Sequence, residues 1–267
     1  SFNINHNEST HFQQPAGGVA LNRINPAQGP SSIYGRLTAT GQVILVNPAG
    51  IFFGPTAYVN VGGLIASTAD ISDQNFLNGN YHFLGSPTDG SVINQGTIIA
   101  MNHGLVALLG NGVRNDGYIE ATMGQVVLAS GTAFTMQFNG NDMISFTVDA
   151  KATKGVTNTG TISANGGRVL VTAKAAQGVL DNVINMDGIV EARSIAEQDG
   201  NIIISGDEDA GLIILAGELH ATSLTGIGGN VTVTGYNILL ADHSIIDVSG
   251  QSGGGNVLIG GDYQGQG

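Results

Sequence analysis

Asn94-Gln-Gly-Thr-Ile-Ile-Ala100 decides the fold, because the same pattern returns as Asn115-Asp-Gly-Tyr-Ile-Glu-Ala121 and as Asn158-Thr-Gly-Thr-Ile-Ser-Ala164. A fourth copy, Asn185-Met-Asp-Gly-Ile-Val-Glu-Ala192, carries one inserted residue. Each copy joins a tight turn, for which Asn and Gly supply the left-handed backbone, to a short strand. Repetition of this kind predicts a solenoid of stacked coils.

A second strand follows these units, and its apolar residues alternate with a period of two. Each such strand starts at a glycine, with one apolar residue two positions later and another two positions after that. The segments are residues 104–109, 124–128, 167–171, 200–204, 229–233 and 255–259. One face of every strand therefore points into a core, and the other face points away from it.

The spacing of the units is that of a solenoid coil. The intervals from Asn94 to Asn115 and from Asn158 to Asn185 both fall within the roughly 20–27 residues expected of one coil. Leucine-rich repeats need a regular Leu framework and a helical half, and a propeller blade needs about 40 residues. We therefore predict an all-β fold, a single-stranded right-handed parallel β-helix. At about 22 residues per coil, the chain would form about 12 coils.

Two segments interrupt this rhythm, and we expect both to project from the helix body. Residues 73–90 are polar and rich in turns, and residues 132–150 are typical of a β-hairpin. Residues 1–30 are expected to form an N-terminal cap, because the open ends of a solenoid need covering. Residues 173–185 favour one or two helical turns. The prediction is one domain over residues 1–267.

The repeated Asn residues have two possible structural roles. They either stack as an internal ladder, hydrogen-bonded through their side-chain amides, or each Asn serves only its own turn. The direction of the side chains decides between these roles. Both interpretations stay open at the level of the sequence.

Composition supports many short strands and argues against several kinds of partner. Charged residues make up 10% of the chain, against roughly 25% in an ordinary globular domain. The 42 glycines with only 6 prolines indicate turns between strands. Net charge is −12 and the 8 Lys and Arg residues are scattered, so nucleic acid is a poor partner. The absence of cysteine suits a chain that crosses a membrane unfolded.

Catalytic signatures are weak. The 6 histidines have no zinc-ligand spacing. Gly250-Gln-Ser-Gly-Gly254 matches the nucleophile-elbow pattern, but a strand follows where the elbow needs a helix. Glu120 and Glu191 occupy equivalent repeat positions, as a glycosidase pair would, yet they do not fall on adjacent coils. We predict no enzyme, cofactor or metal, and a carbohydrate-active β-helix stays the alternative.

Asp207-Glu-Asp209 permits two interpretations. Carboxylates are typical calcium ligands, so these residues form a candidate Ca²⁺ site. A solvated acidic loop between two strands is the favoured interpretation, because no regular Asp-Gly nonapeptide repeat accompanies them.

The most distinctive stretch is residues 32–72. It contains Ser32-Ile-Tyr-Gly35, a strand, Asn47-Pro-Ala-Gly-Ile51 followed by Phe-Gly, then Val61-Gly62 and Ala66-Ser-Thr68. In order and spacing this series resembles the haemagglutination-activity, or two-partner secretion (TPS), domain at the N-terminus of filamentous-haemagglutinin-type adhesins. The resemblance covers nearly the whole chain.

The resemblance implies a protein secreted to the bacterial surface or beyond. Such domains follow a signal peptide, enter the periplasm by the Sec route and are recognised by the POTRA domains of a TpsB-type outer-membrane transporter. The chain then crosses the membrane and folds outside. Adhesion to a host receptor or glycan belongs, by the same resemblance, to downstream regions, and the downstream activity stays open. We expect a monomer.

The candidate site residues are Asn47, Pro48, Gly50 and Ile51. One interpretation is structural: Pro presets φ and Gly supplies positive φ in a tight turn. The other, which does not exclude the first, is a signal for the transporter and a nucleus for folding of the first coils. Ala49 stands where the family usually has Asn, and Asn25-Pro-Ala27 is at best a remnant of a second family motif.

A competing interpretation is that this domain itself binds a host ligand. The projecting segment 73–90 carries Phe76, Tyr81 and Phe83. Aromatic side chains in such a loop are typical anchors for a partner. They equally suit packing back onto the helix body.

Overall fold

The chain forms a parallel β-helix, as predicted. The computed structural model describes residues 2–140, 142–174, 182–195 and 198–260. Three long sheets run along the helix, and each receives one strand from every complete coil. The sequence repeats revealed two strands per coil, and the third strand completes a three-sided cross-section. In the described part of the chain, no helix is long and apolar enough to cross a membrane.

The described elements are short, and almost all of them are strands. In chain order the strands are β1 Ser9–Phe12, β2 Val19–Arg23, β3 Ser31–Ile33, β4 Arg36–Ala39, β5 Gln42–Val46, β6 Ile51–Phe53, β7 Tyr58–Val61, β8 Gly63–Ser67, β9 Tyr81–Leu84, β10 Ser91–Asn94, β11 Thr97–Ala100, β12 Leu105–Gly110, β13 Gly112–Asn115, β14 Tyr118–Glu120, β15 Gln125–Ser130, β16 Ala133–Asn139, β17 Asp142–Ala150, β18 Val156–Asn158, β19 Thr161–Ser163, β20 Arg168–Ala173, β21 Asn182–Met186, β22 Ile189–Glu191, β23 Asn201–Ser205, β24 Leu212–Leu215, β25 Glu218–His220, β26 Asn230–Thr234, β27 Asn237–Leu240, β28 Ile245–Asp247 and β29 Asn256–Ile259. The helices are a 3₁₀ helix, Pro26–Gln28, and α1, Asp73–Leu77.

Strand order defines the three sheets. Sheet 1 is β2-β5-β8-β12-β15-β20-β23-β26-β29, sheet 2 is β3-β6-β10-β13-β18-β21-β24-β27, and sheet 3 is β1-β4-β7-β11-β14-β19-β22-β25-β28. The described residues therefore form eight complete coils with one extra strand at each end. The expectation of about 12 coils is wrong. Coils near the C-terminal end are longer than the period assumed from the sequence, since Ile162, Val190 and Leu219 stack directly on one another.

The inner core consists of aliphatic side chains stacked from coil to coil. Val126, Val169, Ile202 and Val231 form one such column in sheet 1, and all four are fully buried. Each buried aliphatic side chain contributes about 1.5–3 kcal/mol before entropy is subtracted. Because the period-two pattern sends these residues to one face, every coil presents an apolar surface on which the next coil can stack.

Glycines at the corner between sheets 2 and 3 are required by the close approach of neighbouring coils. The members of this column are Gly117, Gly160, Gly188 and Gly217. A Cβ atom at any of them would lie 2.0–2.2 Å from the carbonyl oxygen of the corresponding glycine on the preceding coil. The abundance of glycine therefore reflects packing between coils as well as turn conformation.

The repeated Asn residues form the internal ladder. Asn94 Nδ2 donates to Asn115 Oδ1 at 2.8 Å, and Asn115 Nδ2 donates to Asn158 Oδ1 at 2.7 Å. Each side chain also serves its own turn, as where Gly96 N donates to Asn94 Oδ1 at 3.1 Å. On the coil that follows Asn158, Met186 and not Asn185 is its strand partner. The inserted residue therefore moves Asn185 out of the ladder.

The two segments that interrupt the rhythm lie together outside the helix. β9 and the hairpin β16–β17 form an antiparallel sheet with the order β17-β16-β9. This extra-helical sheet covers the outer face of sheet 1 and encloses a second core. The members of the second core include Ile44, Ile65, Ala107, Val127, Phe83, Phe134, Met136 and Val148. Of residues 173–185, residues 175–181 lie outside the described part, and β21 begins at Asn182.

The N-terminal residues enter the sheets directly. β1 pairs with β4 in sheet 3, and β2 pairs with β5 in sheet 1. Arg23, at the end of β2, donates to Asp70 at 2.6 Å and to Asp73 at 2.8 Å, and it also donates to the Ile71 carbonyl. This contact ties the first coil to the start of the extra-helical sheet. The division of the chain into a cap, a body and insertions within one domain stays a prediction.

Candidate functional site

The segment 47–51 forms a closed turn between sheet 1 and sheet 2. Ala49 N donates to Asn47 Oδ1 at 3.0 Å, and Gly50 N donates to Asn47 O at 2.9 Å. Gly50 has a φ of 121°, a region that L side chains rarely adopt. The ring of Pro48 fixes its own φ angle. These local bonds explain why Asn, Pro and Gly occupy these positions.

The Asn47 side chain also binds the preceding coil. Its Nδ2 donates to the Gly29 carbonyl at 3.1 Å and to Ser31 Oγ at 3.0 Å. Asn47 is fully buried, and both polar atoms of its side chain are satisfied. A buried amide satisfied in this way specifies one arrangement of its neighbours, because any other arrangement leaves polar groups unpaired.

Main-chain bonds from the same turn reach the following coil. Asn47 N donates to the Ser67 carbonyl at 3.0 Å, and Gly90 N donates to the Pro48 carbonyl at 2.8 Å. On the preceding side, Ser31 N donates to the Gly50 carbonyl at 3.0 Å. The turn therefore joins three successive coils at the N-terminal end of the helix.

The four candidate residues differ in accessibility. Asn47 and Gly50 are buried, and Ile51 lies in β6 at 1% exposure, between Ser31 and Val92. Pro48 is only half-buried. A partner that meets the folded domain would contact the Pro48 side of the turn. A partner that reads Asn47 or Ile51 directly needs the chain before it folds.

The tripeptide Asn25-Pro-Ala27 repeats this turn one coil earlier. Ala27 N donates to Asn25 Oδ1 at 3.0 Å, as Ala49 N donates to Asn47 Oδ1. The strands that precede the two tripeptides, β2 and β5, pair with each other, so the tripeptides lie one coil apart. Sequence reasoning treated the first tripeptide as a remnant and missed the link from Asn47 to Gly29. The identical tripeptides at this spacing were the available signal.

The aromatic residues of the extra-helical segment point mainly into the second core. Phe83 is fully buried, and Phe76 and Tyr81 pack against the same cluster. The rings of Tyr81 and Phe138 have their centroids 4.7 Å apart. The exposed apolar side chains of this segment are Leu77, at 80% exposure, and Leu84, at 58%. A ligand of this segment would therefore meet the leucines before it met Phe83.

Asp207 is engaged by an ion pair. Its Oδ2 lies 3.0 Å from Lys151 Nζ, and Asp209 N donates to its Oδ1 at 3.0 Å. Burial alone would raise the pKa of Asp207, but the Asp209 amide and the Lys151 ammonium outweigh burial and lower it. Among the described residues, no group of three His, Cys, Asp or Glu side chains is placed to hold a metal ion.

Glu120 and Glu191 share one column on the outside of sheet 3. Ser163 lies between them, so they are two coils, or about 10 Å, apart. Tyr118 donates to Glu120 at 2.8 Å, and burial followed by this bond raises the pKa of Tyr118 to about 12. Arg193 donates to Glu191 at 2.9 Å. Each carboxylate is thus held by a neighbour on its own coil.

The structure combines three features: a three-sided parallel β-helix, a polar turn that joins its first coils, and an antiparallel sheet that covers one side. Together they define the structural class of this domain, a parallel β-helix with an extra-helical sheet. A family model described as the TPS secretion domain matches residues 1–214. The chain therefore belongs to the TPS secretion domains, which are parts of exported exoproteins. It is part of a secreted protein, and its family is one of secretion domains rather than of known enzymes.

Known proteins resemble the chain in sequence and in structure. A heme/hemopexin-binding protein of Haemophilus influenzae strain Rd is 36% identical over 218 residues, and a second protein of that name and species is 31% identical over 232 residues. Each match covers 78% of this chain and 24% of the relative, so the chain spans about a quarter of their length. The crystal structure of the HMW1 secretion domain from Haemophilus influenzae matches with a TM-score of 0.87 at 32% identity, covering 99% of this chain and 69% of that one.

Proposed function

We propose that this domain is the export signal of its exoprotein, recognised by the POTRA domains of a TpsB-type outer-membrane transporter. The segment 47–51 is the part that is read, and it is read while the chain is extended. POTRA-type recognition adds an extended strand to a sheet edge, so main-chain bonds supply affinity and side chains supply selectivity. Burial of Asn47 and Ile51 in the folded domain supports recognition before folding.

The same segment then nucleates folding outside the cell. The observation that carries this proposal is the set of bonds from one turn to Gly29, Ser31, Ser67 and Gly90. Closing the turn fixes the register of three coils at once. Each later coil then stacks on a finished neighbour, as nearest-neighbour stacking predicts for a solenoid. The domain acts as a signal and a folding template, without catalysis and without a cofactor.

The test is export of this domain, carrying a signal peptide, with and without the transporter encoded beside its gene. We expect the wild-type domain in the medium only when the transporter is present. Asn47→Ala should reduce the amount in the medium, and Asn47→Asp should do so as well, because it removes the donor to Gly29 and Ser31. Equal amounts with and without the transporter would overturn the proposal.

A matched control separates recognition from stability. Asn115→Ala removes buried side-chain bonds between coils, as Asn47→Ala does, but it lies outside the motif. If recognition depends on Asn47, the isolated POTRA domains should bind unfolded Asn115→Ala like wild type and unfolded Asn47→Ala more weakly. If Asn47→Ala is exported and melts like wild type, segment 47–51 has neither role.

Host-ligand binding by the extra-helical segment is the second candidate function. The exposed side chains of Leu77 and Leu84, beside Phe76 and Tyr81, are the observation that favours it. Because the curated relatives are named heme/hemopexin-binding proteins, hemopexin is the first ligand to test. Leu77→Lys should weaken hemopexin binding by the folded domain, and binding that is unchanged by Leu77→Lys and Leu84→Lys would dismiss this surface.

A further inference from the structure

β17 is the outer strand of the extra-helical sheet and pairs with β16 along one edge. It runs for nine residues, Asp142–Ala150, and residues 143–148 contain no charged residue, Pro or Gly. Among the described residues, no strand pairs with its other edge. An edge of this kind presents unpaired N–H and C=O groups and is a template for another strand.

The opposite edge of the same sheet is partly closed. Leu84, at the end of β9, donates to the Asp70 carbonyl at 2.7 Å and accepts from the Asp70 amide at 2.9 Å. The helix body therefore occupies the β9 edge at that point. Ile144, in the uncharged stretch of β17, is 58% exposed. On β17, the side chain of Gln125 in the helix body donates to the Met143 carbonyl at 2.8 Å. From Ile144 onward, no described strand pairs with the outer edge of β17, so this part of the edge is open to a further strand.

A groove lies between β17 and the helix body. Met143 lines one side, and Arg168 and Asn201 line the other, around a volume of about 460 Å³. The outward column of sheet 1 continues past the cover, from Val127 through Leu170 to Ile203. A strand added to β17 would thus lie over an apolar surface that the extra-helical sheet has begun to cover.

Arg168 brings a positive charge to this groove, whose lining also includes the exposed carboxylate of Asp199. The terminal nitrogen of Arg168 donates to Gln125 Oε1 at 3.1 Å, but its buried Nε has no acceptor among the described residues. Burial lowers the pKa of Arg168, because the guanidinium loses contact with water. A carboxylate brought by a ligand would accept from Nε and offset this cost.

We propose that the free edge of β17 and the groove beside it bind an extended peptide strand of a partner protein. The inward side chains of that strand are apolar, with one carboxylate that meets Arg168. The unpaired main-chain edge selects an extended peptide, since regularly spaced N–H and C=O groups are its match. Charge complementarity with Arg168 selects the carboxylate. The surface exists only in the folded domain, so the inference does not depend on the proposed recognition of segment 47–51.

A second copy of this chain is a poorer occupant. Pairing two β17 strands antiparallel through their uncharged centres would set Asp142 of one copy opposite Asp149 of the other at both ends. Like charges directly opposite each other destabilise a strand pair. A heterologous strand carries no such penalty.

The experiment measures binding of a blocked, fluorescently labelled peptide, Val-Thr-Glu-Thr-Val-Thr-Val, to the folded domain. We expect saturable binding, with slower amide exchange along β17. Ile144→Lys should weaken binding by about tenfold, because a charged edge opposes strand addition. Leu239→Lys is the matched control: Leu239 is 48% exposed on β27 in sheet 2, away from the extra-helical sheet, and its substitution should leave binding unchanged.

Two further comparisons test the chemistry of recognition. Replacing Glu by Gln in the peptide should weaken binding to wild type, and Arg168→Gln should abolish the difference between the two peptides. A peptide N-methylated at alternate residues should not bind. No binding by wild type up to about 1 mM peptide, equal binding by the N-methylated peptide, or equal losses from Ile144→Lys and Leu239→Lys would each overturn the proposal. Thermal melts of every variant verify the fold.

Discussion

Asn94 and Asn115 are linked by a 2.8 Å hydrogen bond between their side-chain amides, one coil apart and shielded from water. Asn158 continues the link at 2.7 Å on the coil after that. A slip of one residue in any of these strands would turn an Asn to the outside and leave its partner unpaired. The ladder therefore specifies the register of three coils in the middle of the helix.

Replacing the middle residue of this ladder should destabilise the domain. Asn115→Ala removes the bonds to Asn94 and Asn158. It leaves Asn158 Oδ1 without its donor and Asn94 Nδ2 with only the longer bond to the Gly96 carbonyl at 3.3 Å. We expect a loss of about 1–3 kcal/mol for each buried group left unsatisfied. Urea denaturation followed by circular dichroism measures it.

The ladder Asn201-Asn230-Asn256, which is half-buried at its first two residues and exposed at Asn256, provides the control for that measurement. Its bonds of 2.8 and 2.9 Å have similar lengths, but water can replace them. Asn230→Ala should change the free energy of unfolding by no more than about 0.5 kcal/mol. Equal losses for Asn115→Ala and Asn230→Ala would show that burial of the ladder is not what makes it stabilising.

The glycine column makes a second prediction, about contact between coils. A Cβ at Gly160 would lie 2.1 Å from the Gly117 carbonyl oxygen, and neither backbone can move without displacing a coil. Gly160→Ala should destabilise the domain by about 1–3 kcal/mol or more. At Gly254 the nearest neighbour of a Cβ would be 3.9 Å away, so Gly254→Ala should be neutral within about 0.5 kcal/mol. Equal thermal midpoints for the two variants would contradict this account.

The repeats predicted the solenoid, and the turn residues Pro48 and Gly50 predicted the tight turn at segment 47–51, because both depend on residue types at fixed spacing. The Asn-x-Gly units and the period-two strands recur along the sequence at intervals of about one coil. The third strand of each coil escaped notice, since segments such as Val92-Ile-Asn94 are too short to show a period of their own. The number of coils was overestimated because corner loops and insertions consume residues without adding coils.

Contacts between distant insertions could not be predicted from sequence. Phe83 and Phe134 pair across two strands that are far apart in the chain, and no repeat relates them. The same holds for Lys151 and Asp207, which meet at 3.0 Å although two coils, β18–β20 and β21–β23, lie between them in the chain. The burial of Asn47 could not be predicted either. Asn47 follows the end of β5, where the alternation of the strand no longer determines which way a side chain points. These contacts follow from which corner each insertion leaves, a property of the assembled helix.

Acidification should test the Lys151–Asp207 pair. Because the pKa of Asp207 is lowered on folding, its contribution to stability is present above the unfolded value of about 3.9 and is lost as pH falls through the folded pKa. Asp207→Asn should cost about 1 kcal/mol at pH 7, since Lys151 is partly exposed, and the difference from wild type should shrink as the pH falls below about 4.

Urea midpoints between pH 7 and pH 3 measure this difference. Glu208→Gln is the control, because Glu208 is exposed and adjacent in sequence. A difference between wild type and Asp207→Asn that stays constant over the whole range would mean that the ion pair does not stabilise the fold. Calcium should not raise the urea midpoint of the wild-type domain, because the Asp207 carboxylate is already paired with the Lys151 ammonium.

Truncating Phe134 should detach the extra-helical sheet without unfolding the coils. Phe134 is fully buried, pairs with Phe83 on β9 and belongs to the second core, which is separate from the core inside the helix. Phe134→Ala should lower the free energy of unfolding of the extra-helical sheet by about 3–5 kcal/mol. The loss should be confined to that sheet, because Phe134 packs in the second core and not in the core inside the helix. Local opening of such a unit precedes global unfolding.

Hydrogen exchange measures the two units separately. In Phe134→Ala, amides of β9, β16 and β17 should exchange faster, while amides of β13 and β18, in sheet 2 away from the cover, should keep wild-type protection. Phe52, half-buried against Tyr34 on the outside of sheet 2, gives the control substitution Phe52→Ala, which should leave the cover protected. If Phe134→Ala instead accelerates exchange equally in all three sheets, the cover and the coils unfold as one unit, and the second core stabilises the whole β-helix.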